Sequence, residues 1–199
     1  MSFTHFQNAF QGWGQRKPEI ESAYATSGRS LSVDERNPAA HWAMGRALWL
    51  RGQQEPAVAA LQQAVALSPS FALGHYSLGF VQAQAGDALA AIAAADDARR
   101  LSPYDPLLFG MLGARAIALV RLGRFEEAAA CAVQAASRPN AHAHILALAG
   151  ALDAAQAQAA TLRQHQADYG LKDFLAAFHL DAQGSAYFRQ GAQSIGPNR

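Results

Sequence analysis

The chain has 199 residues, of which 51 % are hydrophobic and 16 % charged, and a formal net charge of +1, so no global field recruits nucleic acid or an anionic membrane. One cysteine, Cys131, excludes an intramolecular disulfide framework and fits a reducing compartment. The sequence holds no apolar run of about 18 residues that could span a bilayer, and its first residues lack the charged-then-apolar order of a secretion signal, so the expected setting is the cytoplasm.

In chain order, Phe3, Phe6, Phe10 and Trp13 recur at helical spacing and predict one apolar stripe that Gly14 ends. Pro18 then opens a second helix with Glu19 and Glu21 in its first turn, where a missing amide donor and a negative charge are both tolerated. Ile20, Ala23, Tyr24, Ser27 and Leu31 form its less polar face. Asn37-Pro38 reads as an N-cap followed by proline at the first helical position, starting a helix that runs to about Arg51 and stops at Gly52. Its partner extends from near Pro56 to Leu67. Ser70 caps a helix over 71–85, and Gly86-Asp87 turns the chain into another over 88–101. Each is near the length that is marginal alone in water, so packing must hold them.

Asp105-Pro106 repeats the cap-plus-proline device and predicts a longer helix over about 106–122, with Phe109, Leu112, Ala116 and Leu119 as its apolar seam. A partner follows from Phe125 to about Ser137 and ends before Pro139. Residues 141–149 predict a short helix, Gly150 a break, and 152–166 another helix. Leu171, Phe174, Leu175 and Phe178 fall on one helical face that would lid the preceding unit. Asp181 is placed to cap a last helix carrying Tyr187 and Phe188, and 197–199 are expected to fray.

A repeat underlies this series. Gly45 and Gly79, Ala57 and Ala91, Ala64 and Ala98, and Pro69 and Pro103 are each 34 residues apart, as are Leu61 and Ala95, and Met44 and Leu78. A mid-helix glycine costs about 1 kcal/mol relative to alanine, which is tolerable where a second helix must come close. The prolines stop the second helix of each unit. Alanine is common enough here to match by chance in an ordinary helical bundle; the paired glycines and prolines are not. Gly113 lies 34 after Gly79, but the turn at Gly123 comes three residues late, hence the expectation of a longer helix.

This pattern is that of the tetratricopeptide repeat, a stack of helical hairpins with a period of 34. It implies an all-α fold, an α-solenoid forming a right-handed superhelix within a single domain over 1–199. The units are a degenerate repeat or N-terminal cap at 4–37, repeats at 38–71 and 72–105, and a repeat with the longer first helix at 106–140. A shortened hairpin at 141–168 and C-terminal capping helices at 169–199 complete it. The segments 100–109, 121–128 and 138–142, and the tail around Asp173-Phe174-Leu175 and Ile195-Gly196, resemble the tetratricopeptide half of bacterial class III adenylate/guanylate cyclases and winged-helix transcriptional regulators. Their effector half is absent from the sequence. The resemblance implies a docking or sensory module of bacterial signalling.

In such arrays the first helix of each hairpin lines a concave groove where partners lie. Carried over by position, the lining is Trp42, Arg46 and Trp49, then Tyr76 and Phe80, with Arg115 on the following helix. Aromatic residues and arginine are enriched at binding hot spots, and an arginine among them can take a peptide carboxylate through two bonds. The tryptophans, seven apart, would serve equally as packing against the neighbouring hairpin. Arg46 is the sharper candidate, because an arginine facing a core without a partner is costly. The expected partner is a protein or peptide, with no nucleic acid, membrane, cofactor or metal; the alternative is a ligand-sensing module working beside a separate cyclase or transcription factor. His142 and His144, two apart, diverge on a helix and share no metal-binding face. No Gly-rich phosphate loop is present, and the paired acids Asp96-Asp97 and Glu126-Glu127 read as solvated faces, so no enzyme is expected.

Overall fold

The computed structural model describes residues 1–135, 142–165 and 170–195, and the regular structure among them is entirely α-helical. The elements are α1 (Ser2–Gln11), α2 (Arg16–Val33), α3 (Pro38–Leu50), α4 (Gln54–Leu67), α5 (Ala72–Ala85) and α6 (Ala88–Leu101). They continue as α7 (Leu108–Arg121), α8 (Phe125–Gln134), α9 (His142–Leu148), α10 (Leu152–His165), α11 (Leu171–Ala177) and α12 (Ala182–Ile195). None of the described helices is long and apolar enough to cross a membrane. Consecutive helices pair as hairpins from α1–α2 to α9–α10, and the first helices of neighbouring hairpins, α1, α3, α5 and α7, lie side by side. The chain then turns back, so that α12 packs on α9 and α7 instead of extending the stack.

The glycine spacing has a steric cause. A Cβ at Gly45 would meet the Leu61 side chain and the Ala57 carbonyl oxygen at 3.0 Å; one at Gly79 would meet the Ala91 carbonyl oxygen at 3.0 Å and the Ala95 amide nitrogen at 3.1 Å. The same contact between first and second helix thus recurs at the same offset, with Ala57, Leu61, Ala91 and Ala95 fully buried beneath it. Gly113 breaks the series, since its Cβ would meet nothing within 4 Å. The expected longer helix is also absent: α7 has 14 residues, as α5 does. The delay lies mainly in the connection before α7, residues 102–107 against 68–71 before α5. Ala116, three residues beyond Gly113, is completely buried, in the same core as Ala128.

Side-chain capping explains some of the helix starts. Asn37 accepts from the amides of Ala39 and Ala40, with Pro38 at the first position; Asp87 does the same for Leu89 and Ala90. Asp105 caps less than expected: its side chain accepts from Leu107 N, and Leu107 precedes the first helical residue, so Asp105-Pro106 forms a turn instead of a helix start. Ser70 gives no cap, since α5 begins after Phe71. At the N-terminus Gly12, with φ 71°, ends α1 two residues before the expected Gly14, and Trp13 therefore leaves the stripe and is 74 % exposed. The second helix begins at Arg16, so Pro18 falls within its first turn. His5 ties α1 to α2 by donating to Glu19 at 2.6 Å.

Two large apolar clusters and a small third one, of Leu146, Ala147 and Ala155, fill the stack among the described residues. One large cluster gathers Phe6, Trp49, Leu61 and Val81 from the first hairpins. The other gathers Leu119, Cys131, Phe174 and Phe188, so α11 and α12 cover the later hairpins as the Leu171–Phe178 stripe predicted. Phe80 packs against both. Asp181 accepts from Gly184 N at 2.7 Å and caps α12. The expected stop at Pro139 and the fraying of 197–199 lie outside the described residues.

Candidate partner-binding groove

The row of first helices carries an aromatic wall, and its chemistry begins with Arg46 on α3. The guanidinium lies 3.5 Å from the Phe6 ring centre, 4.8 Å from Trp42 and 5.2 Å from Phe3. Ring faces attract a cation, more strongly when water is excluded, but they leave its charge unneutralised. Among the described residues Arg46 makes neither ion pair nor hydrogen bond, and burial pulls its pKa down to about 10, with the nearby Tyr76 acting the other way. Burial raises the Tyr76 phenol in turn. Trp42 stacks on Phe3 at 5.8 Å, meets Phe71 edge-on, and donates from Nε1 to Ser77 Oγ at 2.8 Å. Tyr76 lies across Gly110 of α7, where any Cβ would collide with the phenol oxygen. Trp42, Arg46 and Tyr76 are thus brought together at one end of the wall, each keeping partial access to solvent.

Trp49, placed in the same groove by position, is covered, and Phe80 beside it is half-buried. Trp49 is 1 % exposed, boxed by Phe6, Phe10, Phe80 and the ring of His179 at 4.9 Å. Phe178 sits against Phe10 and Phe80 at 6.4 and 5.8 Å. The cover is the chain itself, the segment 178–181 between α11 and α12. Gln84 of α5, completely buried, holds it: its Oε1 accepts from His179 N at 2.8 Å and its carbonyl oxygen from Asp181 N at 2.9 Å. Arg121 donates to Asp181 Oδ2 from Nε and Nη2 at 2.9 and 2.6 Å, and from Nη1 to the Gln82 and Ala83 carbonyls. Gln84 and Arg121 escaped the sequence reading because neither is aromatic and nothing local marks them as facing a segment some 95 and 60 residues away. The one available signal was Asp181, legible as a cap only.

Arg115 is corrected more sharply. Its side chain points to the neighbouring helices and away from the wall, pairing with Asp96 at 3.2 Å and donating to Cys131 Sγ at 2.9 Å. Between α1, α3 and α5 remains a cavity of about 40 Å³ bordered by Phe6, Arg46, Trp49, Tyr76, Ser77 and Phe80. That is room for a few waters, far below the roughly 300–1,000 Å³ of small-molecule sites. No three His, Cys, Asp or Glu among the described residues are placed to hold a metal. His144 lies between Phe174 and Phe188, and burial brings its pKa down to about 4; the side chain of His142 is outside the described residues.

Residues 45–86 match the family model described as TPR repeat. Over nearly its whole length the chain is similar to TTC0263, a thermophilic TPR protein of Thermus thermophilus. The two are 19 % identical, the match covers 96 % of this chain and 98 % of the other, and the TM-score is 0.66. The fold is a tetratricopeptide solenoid. It is similar as well to PilW, described as a widely conserved type IV pilus biogenesis factor, at 18 % identity, with 100 % and 94 % of the two chains covered and a TM-score of 0.68. Among curated proteins none matches at a significant level. In this tetratricopeptide solenoid the aromatic wall runs along the first helices, half-buried around Trp42, Arg46 and Tyr76 and covered by the chain's own residues around Trp49.

Proposed function

We propose that this protein is a non-enzymatic scaffold of the cytoplasm that holds a protein or peptide partner on its inner face, with Trp42, Arg46 and Tyr76 as the docking end. The observation that carries this is Arg46, a buried guanidinium walled by aromatic rings and matched by no acid among the described residues. Leaving a desolvated charge unpaired is expensive, and a partner's carboxylate would relieve it while the rings supply apolar area. Trp42 is already fixed by Ser77 and Phe71, so little side-chain freedom is lost when a partner arrives. The sole cysteine, buried against Arg115, is consistent with a reducing compartment. The resemblance to the tetratricopeptide half of bacterial regulators supports a role in signalling, beside a separate effector. A small-ligand sensor is the second reading, favoured by the cover that α11 and α12 provide; the cavity of about 40 Å³ argues against it.

Affinity capture from an extract of the source cells tests the proposal. Wild type and Tyr104→Ala, an alteration at a residue that is 96 % exposed and makes none of the wall's ring contacts, retain the same partner. Arg46→Gln loses it at unchanged helicity by circular dichroism. Equal capture by all three proteins removes the proposal.

A further inference from the structure

The segment 178–181 differs from its flanks. Phe174 before it and Phe188 after it are completely buried anchors, whereas Phe178, His179, Leu180 and Asp181 each keep partial access to solvent. Phe178 has extended backbone, φ −113° and ψ 140°, and two of the next three amides are bonded to a single residue, Gln84. These are the contacts of a docked peptide: main-chain bonds give hold, and side chains at intervals give selectivity. The aromatic side chain enters the wall at Phe10 and Phe80, and three residues on the carboxylate meets Arg121.

The fit is incomplete on both sides. Trp49 Nε1 in the wall and His179 Nε2 in the segment, whose rings meet at 4.9 Å, are buried without a hydrogen-bond partner among the described residues. Buried polar groups are paired in the large majority of cases. Two orphans at one contact mark a surface that a different occupant would satisfy better. Phe174 and Phe188 anchor α11 and α12 as buried members of the second core cluster, whereas Phe178 and Leu180 of the segment only border it.

We infer that the half of the inner face formed by Trp49, Phe80, Gln84 and Arg121 recognises an extended peptide with an aromatic residue and, three places later, a carboxylate. Residues 178–181 are the chain's own copy of that ligand. A partner segment of this pattern displaces them, which extends the docking surface from Arg46 along the whole wall. The inference rests on the inner-face reading above and adds the partner's sequence pattern and the intramolecular competitor.

The test uses a fluorescein-labelled peptide of residues 176–183 followed by anisotropy. A tethered segment acts at an effective concentration of about millimolar, so wild type resists micromolar peptide. The variant Phe178→Ala with Asp181→Asn, whose own segment is weakened, binds at least tenfold more tightly than wild type. Peptides with alanine for the phenylalanine or asparagine for the aspartate lose at least tenfold on that variant. Absence of saturable binding to the variant, or equal binding of a scrambled peptide, overturns the inference. Hydrogen exchange on wild type guards against a misfolded variant: the His179 and Asp181 amides should exchange faster than those in the middle of α12. Exchange of these amides only on global unfolding would make the segment a fixed part of the core and overturn the inference as well. Peptide failure with Arg46-dependent capture intact removes this inference alone; failure of both removes the inner face as a docking surface.

Discussion

Alanine in place of glycine should have opposite effects at two positions of equal spacing in the sequence. At Gly79 the new methyl would stand 3.0 Å from the Ala91 carbonyl oxygen and 3.1 Å from the Ala95 amide nitrogen. Both are backbone atoms of α6, so relief requires the helices to part, not a side chain to rotate. Overpacking of a tight interior costs about 1–3 kcal/mol, and alanine returns about 1 kcal/mol of helix propensity. The expected net effect of Gly79→Ala is therefore a loss of up to about 2 kcal/mol, which at its upper end is roughly 4–8 °C in melting temperature for a chain of this size. At Gly113 the methyl meets nothing within 4 Å, and only the propensity gain remains. Gly113→Ala should raise stability by up to about 1 kcal/mol. Urea unfolding followed by circular dichroism, with slopes compared to wild type, measures both. A stabilised Gly79→Ala, or the same sign for both variants, would refute the steric account of the repeat.

Other outcomes follow from single groups. Asn37→Ala removes the acceptor for the Ala39 and Ala40 amides and should cost about 1 kcal/mol in urea unfolding. The His144 pKa of about 4 lies below its unfolded value near 6.5, so the unfolded chain takes up the proton first as pH falls. Stability should therefore drop between about pH 6.5 and 4 by about 3 kcal/mol, and His144→Leu should flatten that stretch of a stability-against-pH curve; an unchanged curve would show that this ring is not the sensor. Arg46→Met keeps the apolar volume and removes an unpaired charge, so thermal unfolding should show equal or higher stability while partner capture is lost.

How much of this was legible beforehand depends on the range of the interaction concerned. Asn37-Pro38 and Asp87 work within three residues and were readable as helix starts, whereas Asp105-Pro106 looked alike and became a turn because the connection before α7 has extra residues. Gly45 and Gly79 were readable because a repeated contact leaves a repeated residue; Gly113 shared the spacing without the contact. Among the candidate site residues, Trp42, Arg46 and Tyr76 come together at one half-buried end of the aromatic wall. Arg115, assigned through the expected longer helix, faces Asp96 and Cys131 instead.

The sequence by itself determined the helices, their pairing into hairpins and the stack, because each depends on local caps, apolar periodicity and nearest-neighbour contacts that repeat along the chain. Only the tertiary structure decided which part of the inner face is left free. The return of residues 178–181 onto Trp49, Gln84 and Arg121 joins positions tens of residues apart, through one ion pair and two amide hydrogen bonds to Gln84, one to its side chain and one to its carbonyl, that leave no period in the sequence. Repetition makes a solenoid readable, and the single non-repeating contact that closes it is settled by the geometry of the folded chain.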